Sequence, residues 1–152
     1  MIPSPICYNR HYFDDSIQRE LKRSQRYKRP FTIMMTDLAN FKRVNDQLGH
    51  QEGDRVLREV ARLVQEQVRE SDWVIRYGGD EFLIILPETG VQVEALAERL
   101  RRVISEWSDA NVPQVKIGID VGWATWTPDS DFSLTRLLKI ADSNMYAEKE
   151  MK

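Results

Sequence analysis

The chain has 152 residues, 41% of them hydrophobic and 30% charged, with a formal net charge of −2; that length suits one domain able to bury roughly two-thirds of its unfolded surface, and the near-balance of charge argues against nucleic acid or an anionic membrane as the main partner. The lone cysteine, Cys7, excludes an internal disulfide and argues against a thiolate metal site. No apolar run reaches the roughly 18–20 residues of a membrane span and no signal peptide is visible, so the expectation is one cytoplasmic domain over residues 1–152 without direct membrane contact.

Taken in chain order, Phe13, Ile17 and Leu21 recur at helical spacing over Asn9 to Lys28, a helix that could continue a linker from a sensor domain. Pro30 ends it, and Phe31 to Thr36 reads as a buried strand running into Asp37. A short helix from Phe41 to Leu48 stops at Gly49, and a second runs to about Arg69 with Leu57, Val60, Ala61, Val64 and Val68 on one face. Trp73-Val74-Ile75 and Phe82 to Leu86 form two strands of a hairpin around Gly78-Gly79. After Pro87 comes a helix whose core face is Val93, Leu96, Ala97, Leu100, Val103, Ile104 and Trp107. Lys116 to Thr125 alternates as a strand, with Ile117, Ile119 and Val121 on one side. A last helix, about Ser133 to Lys149, buries Leu134, Leu137, Leu138, Ala141 and Met145.

Without its end helices this order is β-α-β-β-α-β, an α+β split-βαβ core with helices on one face of an antiparallel sheet. The topology lays the strand ending at Asp37 beside the hairpin turn at Asp80, so two carboxylates distant in sequence converge at one edge. The turn itself sets the adjacent carboxylates of Asp80 and Glu81 beside two residues without side chains. Singly, an aspartate here caps a helix or fills a turn. Jointly they suit a cation and a phosphate.

Three ordered blocks carry a resemblance. Gly78-Gly79-Asp80-Glu81-Phe82 is the namesake string of the GGDEF family, the diguanylate cyclases. Asp37-Leu38-Ala39-Asn40-Phe41-Lys42-Arg43-Val44-Asn45-Asp46, followed by Gly49-His50 and Gly53-Asp54, resembles its D-x-D-x-F-K-x-x-N-D…G-H-x-x-G-D segment. Ala141-Asp142…Met145-Tyr146…Lys149 resembles its closing A-D-x-x-L-Y-x-x-K. The match runs from about Asn9 to the last residue and implies a palm-like, nucleotide-cyclase-like fold.

The resemblance implies that two GTP molecules condense into cyclic di-GMP with release of two pyrophosphates. Asp37, the backbone carbonyl of Leu38 and Asp80 would hold magnesium or manganese, which prefer oxygen ligands. Asp37, Asp80 and Glu81 would be the catalytic carboxylates. Lys42, Lys149 and N–H groups near Asn40 and Phe41 would hold phosphates at a helix start. Asn45 and Asp54 would read the guanine edge, with Gly53 allowing a base to approach. A product joined head to tail demands two opposed sites, hence a homodimer. Arg69 and Asp72, in an R-x-x-D string separated from Gly78 by five residues, match the register of the family's product-inhibition site, with Arg99 as an accessory.

Three departures stand out. The family's opening D-x-L-T-G-L-x-N-R is absent from Ile2 to Arg10. Ala39 replaces a common second aspartate that would share a face with Asp37. The chain ends at Lys152 before the usual G-R-N, whose arginine helps hold phosphates. The alternative reading is therefore a catalytically silent module that senses cyclic di-GMP at Arg69 and Asp72, or GTP at the old active site. A third, another palm-type nucleotidyl transferase, is disfavoured by the guanine-reading pair.

Overall fold

The computed structural model describes residues 10–87, 92–130 and 133–150. Its elements are α1 (Arg10–Tyr27), β1 (Phe31–Ala39), α2 (Phe41–Leu48), α3 (His50–Gln67), β2 (Trp73–Arg76), β3 (Glu81–Pro87), α4 (Val93–Asn111), β4 (Gly118–Trp126) and α5 (Leu134–Glu150). Asn9, the departure over Ile2 to Asn9 and the C-terminal Lys152 lie outside the described residues. The strands form one sheet of order β2-β3-β1-β4 in which every neighbour is antiparallel. That is the α+β split-βαβ arrangement expected, with β1 and β3 inside it.

Successive side chains of a strand point to opposite faces, and both faces are covered. Met34 and Leu38 of β1, Val74, Ile84, Ile119 and Val121 meet the apolar stripes of α3 and α4. Phe31, Ile33 and Met35, with Leu83 and Ile85 of β3, meet Phe13 and Ile17 of α1 and Leu137, Ala141 and Met145 of α5. The end helices therefore close the face that the core topology leaves bare. This explains why β1 and β3 read as continuous apolar runs rather than alternating ones.

Two contacts fix the end helices. A Cβ at Gly122 would lie 2.0 Å from Met145 N and 2.5 Å from Ala141 O, so α5 lies directly on the backbone of β4. Along the same edge strand, Glu148 accepts from the Val121 N–H at 2.8 Å and Asn144 Nδ2 donates to Trp123 O at 2.9 Å. These side chains answer backbone groups that an edge strand otherwise leaves open. On α1, the Phe13 ring meets that of Tyr77 edge-on, at 5.7 Å and 85°.

Two boundaries differ from expectation for local reasons. α3 ends at Gln67 rather than Arg69, because Val68 is extended (φ −104, ψ 165) and Asp72 folds the next residues into a turn on Arg69. β4 starts at Gly118 rather than Lys116. The preceding residues bond to α4 instead of to β1: Ser108 Oγ accepts from Ile117 N–H at 2.8 Å, and Lys116 Nζ reaches Asp109 Oδ1 at 2.7 Å.

Candidate active site

β1 carries Asp37 between two carboxylates. Its Cα partner in β3 is Glu81 and its partner in β4 is Asp120. Strand parity puts all three on the face that receives α5, since Met35, Leu83 and Ala124, two or four positions away, lie there. Like charges directly opposite each other are destabilising, and Asp120 is only 1% exposed. Asp80 stands one residue before this row, where its carbonyl accepts from the Leu38 N–H at 3.1 Å and ties the turn to β1.

One ammonium answers this charge. Lys149, near the end of α5, donates to Asp37 Oδ2 at 2.7 Å. The other oxygen, Oδ1 of Asp37, is buried without a hydrogen-bond partner. The electrostatics follow. Burial, then the charge of Asp37, raises the Asp80 carboxyl above its ordinary value. Burial, then the charges of Asp37, Asp80 and Asp142, does the same to Glu81. The hydrogen bond to Asp37 raises Lys149 in turn.

Among the described residues, no three His, Cys, Asp or Glu side chains gather tightly enough to hold a metal ion alone. Hard divalent cations commonly take few protein ligands and complete their shell with water and substrate phosphate. The orphaned Asp37 oxygen and the raised proton affinity of Asp80 and Glu81 both mark a place short of positive charge, so the residues fit a hard divalent cation. Leu38, whose carbonyl the family resemblance nominates, is 2% exposed beside them.

The candidate phosphate and base groups lie at the end of β1. Asn40 adopts φ 68, a left-handed conformation that asparagine tolerates, and its Nδ2 donates to Lys116 O at 2.7 Å. Its side chain therefore does not cap α2, and the first N–H groups of that helix, from Phe41 on, keep their donors. Lys42 is exposed. Asn45 faces Gly53 across the α2–α3 junction, and a Cβ at Gly53 would meet Asn45 Oδ1 at 1.9 Å. Gly53 thus leaves room for the Asn45 amide in this conformation, a second reason for a glycine beside the expected approach of a base. Asp54 borders a cavity of about 440 Å³ with Leu57, Arg58, Ala61, Arg76 and Phe82.

Neither hairpin glycine needs a left-handed backbone, since Gly49 is the only described glycine with positive φ. At Gly79 an added Cβ would meet nothing within 4 Å, whereas at Gly78 it would sit 3.4 Å from Glu81 Oε1. The turn is held instead by Arg76, whose Nη2 donates to Gly79 O at 2.9 Å.

A second cavity, of about 320 Å³, brings Arg69, Asp72 and Arg99 together. Arg69 Nη2 donates to Asp72 Oδ1 at 3.1 Å and to Pro87 O at 2.7 Å. Arg99 donates to the side-chain and backbone oxygens of Gln67 at 3.2 and 2.8 Å. Its lining includes Gln67 of α3 and Ala95, Leu96 and Arg99 of α4, and none of the carboxylate row.

Sequence reasoning missed two of these residues. Asp120 follows Gly118 and precedes Gly122, and small residues on alternate positions of a strand signal a helix pressed against it. An aspartate between them was the available clue. Arg76 was visible only as a neighbour of the turn.

Comparison with known proteins identifies the family and the fold. The family described as "Diguanylate cyclase, GGDEF domain" matches residues 7–152. Diguanylate cyclase DosC of Escherichia coli (strain K12) is 35% identical over 145 residues, 93% of this chain and 31% of that protein. Probable diguanylate cyclase DgcT of the same strain is 32% identical over 153 residues, 97% of this chain and 33% of that one. The chain thus spans about a third of the length of these relatives. Among solved structures, the active GGEEF domain of a diguanylate cyclase from Vibrio cholerae superposes with TM-score 0.87 at 28% identity, covering 95% of this chain and 92% of that one. The GGDEF domain of DgcB from Caulobacter crescentus, solved in complex with c-di-GMP, gives 0.85 at 28% identity, covering 99% and 90%.

Proposed function

The chain belongs to the GGDEF family of diguanylate cyclase domains, and on that premise we propose that it condenses two molecules of GTP into cyclic di-GMP and releases two pyrophosphates. The observation that supports this most is the meeting of Asp37, Asp80 and Glu81 at one sheet end, with an orphaned Asp37 oxygen among them.

In this reading Asn45 and Asp54 accept from N1–H and N2–H₂ of guanine, a pattern adenine lacks. Lys42 and the N–H groups at the start of α2 hold the phosphates, where the helix dipole favours negative charge. Lys149 reaches the same phosphates from α5. Asp37, the Leu38 carbonyl and Asp80 are the oxygen donors for magnesium or manganese. Such an ion, when bound, neutralises charge at the α-phosphate and eases ionisation of the ribose 3′-hydroxyl. Glu81, whose proton affinity is already raised, is assigned the 3′-hydroxyl proton. The product joins two nucleotides head to tail, so two chains must oppose their sites as a homodimer.

Product feedback is part of the proposal. Arg69, Asp72 and Arg99 line one cavity, and arginine pairs with phosphate and guanine bidentately. We assign cyclic di-GMP to it as an inhibitor.

The deciding experiment incubates the chain with GTP and magnesium and separates the nucleotides by chromatography. Cyclic di-GMP should form, and Asp80→Asn should abolish it. The enzyme reading fails if no product forms at high protein concentration or with a fused dimerising segment. Tight binding of cyclic di-GMP without turnover would instead identify a sensor module.

A further inference from the structure

Asp120 has no role in the reading above, yet it is the most deeply buried carboxylate in the site. It is 1% exposed, it pairs in register with Asp37, and it faces α5. Burying a carboxylate is costly unless something holds it there. Lys149 is the cation at that end of α5, and the register that sets Asp120 opposite Asp37 sets it beside the bond between Asp37 and Lys149. Lys149 is thus a lysine between two carboxylates on adjacent strands. It bonds to Asp37, which in the proposed reading is also the oxygen donor for a divalent cation. Lys149 holds Oδ2, so a cation at the orphaned Oδ1 stands across the same carboxylate from the ammonium; the two positive charges repel, and the ammonium needs somewhere to go.

Position 39 sharpens this. Ala39 shares the face of Asp37 and pairs with Gly118, so neither residue supplies charge at the end of the row. Asp120 supplies it from the neighbouring strand.

We infer that Asp120 is a positioning residue acting through Lys149: it holds the ammonium beside Asp37 in the empty site and receives it when a divalent cation takes Asp37. Because this rests on the reading of Asp37 as a metal ligand, the test separates the two. Manganese affinity of the full chain is measured by titration calorimetry, without nucleotide, for the parent, Asp37→Asn, Asp120→Asn, Lys149→Ala and the Asp120→Asn/Lys149→Ala pair.

Lys149→Ala should tighten manganese binding, because the repelling charge is gone. Asp120→Asn should weaken it roughly tenfold, and most of that loss should vanish in the Lys149→Ala background, a coupling of the size expected for residues in contact. Equal losses in both backgrounds would overturn the inference, because Asp120 would then act on the ion only through its own charge. A change in melting temperature with no change in affinity would overturn it too, leaving a structural role. If Asp37→Asn leaves manganese binding intact, the metal-site reading itself falls. Should Asp120→Asn fold poorly, Asp120→Ser gives the same comparison with a smaller side chain.

Discussion

Gly53 leaves room for the side chain of Asn45: a Cβ at position 53 would lie 1.9 Å from Asn45 Oδ1 and 3.0 Å from its Cγ. The glycine sits in the first turn of α3, where alanine would favour the helix by about 1 kcal/mol. The obstacle is the far end of a flexible side chain, so the amide can swing away. Gly53→Ala should therefore change stability by no more than about 1 kcal/mol while displacing a base-reading group. GTP affinity, measured with calcium in place of magnesium to block turnover, should fall roughly tenfold, as for loss of a hydrogen bond to a base. Unchanged affinity would remove Asn45 from the guanine site.

The carboxylate row predicts how the metal-free domain responds to pH. Asp80 and Glu81 bind protons more tightly in the fold than their ordinary values of 3.8 and 4.5. Below those values both folded and unfolded chains hold the protons, and these groups add no penalty. As pH rises from there through the raised values, the unfolded chain releases protons first, so stability falls. Above them the penalty is complete. Asp80→Asn removes one contributor, so in EDTA its melting temperature should exceed the parent's by a margin that widens from about pH 4 to pH 7. Magnesium should shrink that margin by stabilising the parent. A margin independent of pH would contradict the electrostatic account.

Arg69→Ala should weaken inhibition by added cyclic di-GMP at least roughly tenfold, the scale of losing a bidentate charge-assisted contact. The same change should cost about 1–3 kcal/mol of stability, because the Asp72 carboxylate is 2% exposed and loses its guanidinium partner. The check is the rate with and without added product. An unchanged ratio would leave the Arg69 cavity without a regulatory role.

Gly122→Ala tests the seat of α5. The added methyl meets backbone atoms of Ala141, Asn144 and Met145 at 2.0–2.6 Å, none of which can turn aside. A loss of roughly 3 kcal/mol is expected in urea unfolding, the upper range for overpacking. Because α5 carries Lys149, GTP affinity should drop as well. A stable variant would mean that α5 shifts freely on β4.

Much of this fold was readable because its signals are local. Asn40 and Gly49 bracket α2 at the bounds the sequence suggests, each with a backbone conformation its residue type tolerates. The meeting of Asp37 with the Gly78–Glu81 turn was readable from topology alone. Asp120 was not, because its importance comes from register: only pairing β4 with β1 sets it opposite Asp37. The start of β4 was hidden for a similar reason. Lys116 alternates correctly for a strand, but its side chain and its neighbour's N–H are claimed by α4 across the chain. Gly53 was noticed, but its nearness to Asn45 was not, since a contact with a side chain eight positions earlier leaves no trace in a helical pattern.

The edge-on meeting of Phe13 with Tyr77 couples the turn to the rotational phase of α1. Tyr77 immediately precedes Gly78, and its N–H donates to Glu81 O at 2.9 Å, so the ring and the turn share one short loop of backbone. A helix advances by about 100° per residue, so a register change of a single residue along α1 would swing Phe13 off that ring. Rotation of α1 about its own axis would therefore move a ring packed on the residue that opens the turn, together with the Ile17 contacts the helix makes on the same face of the sheet.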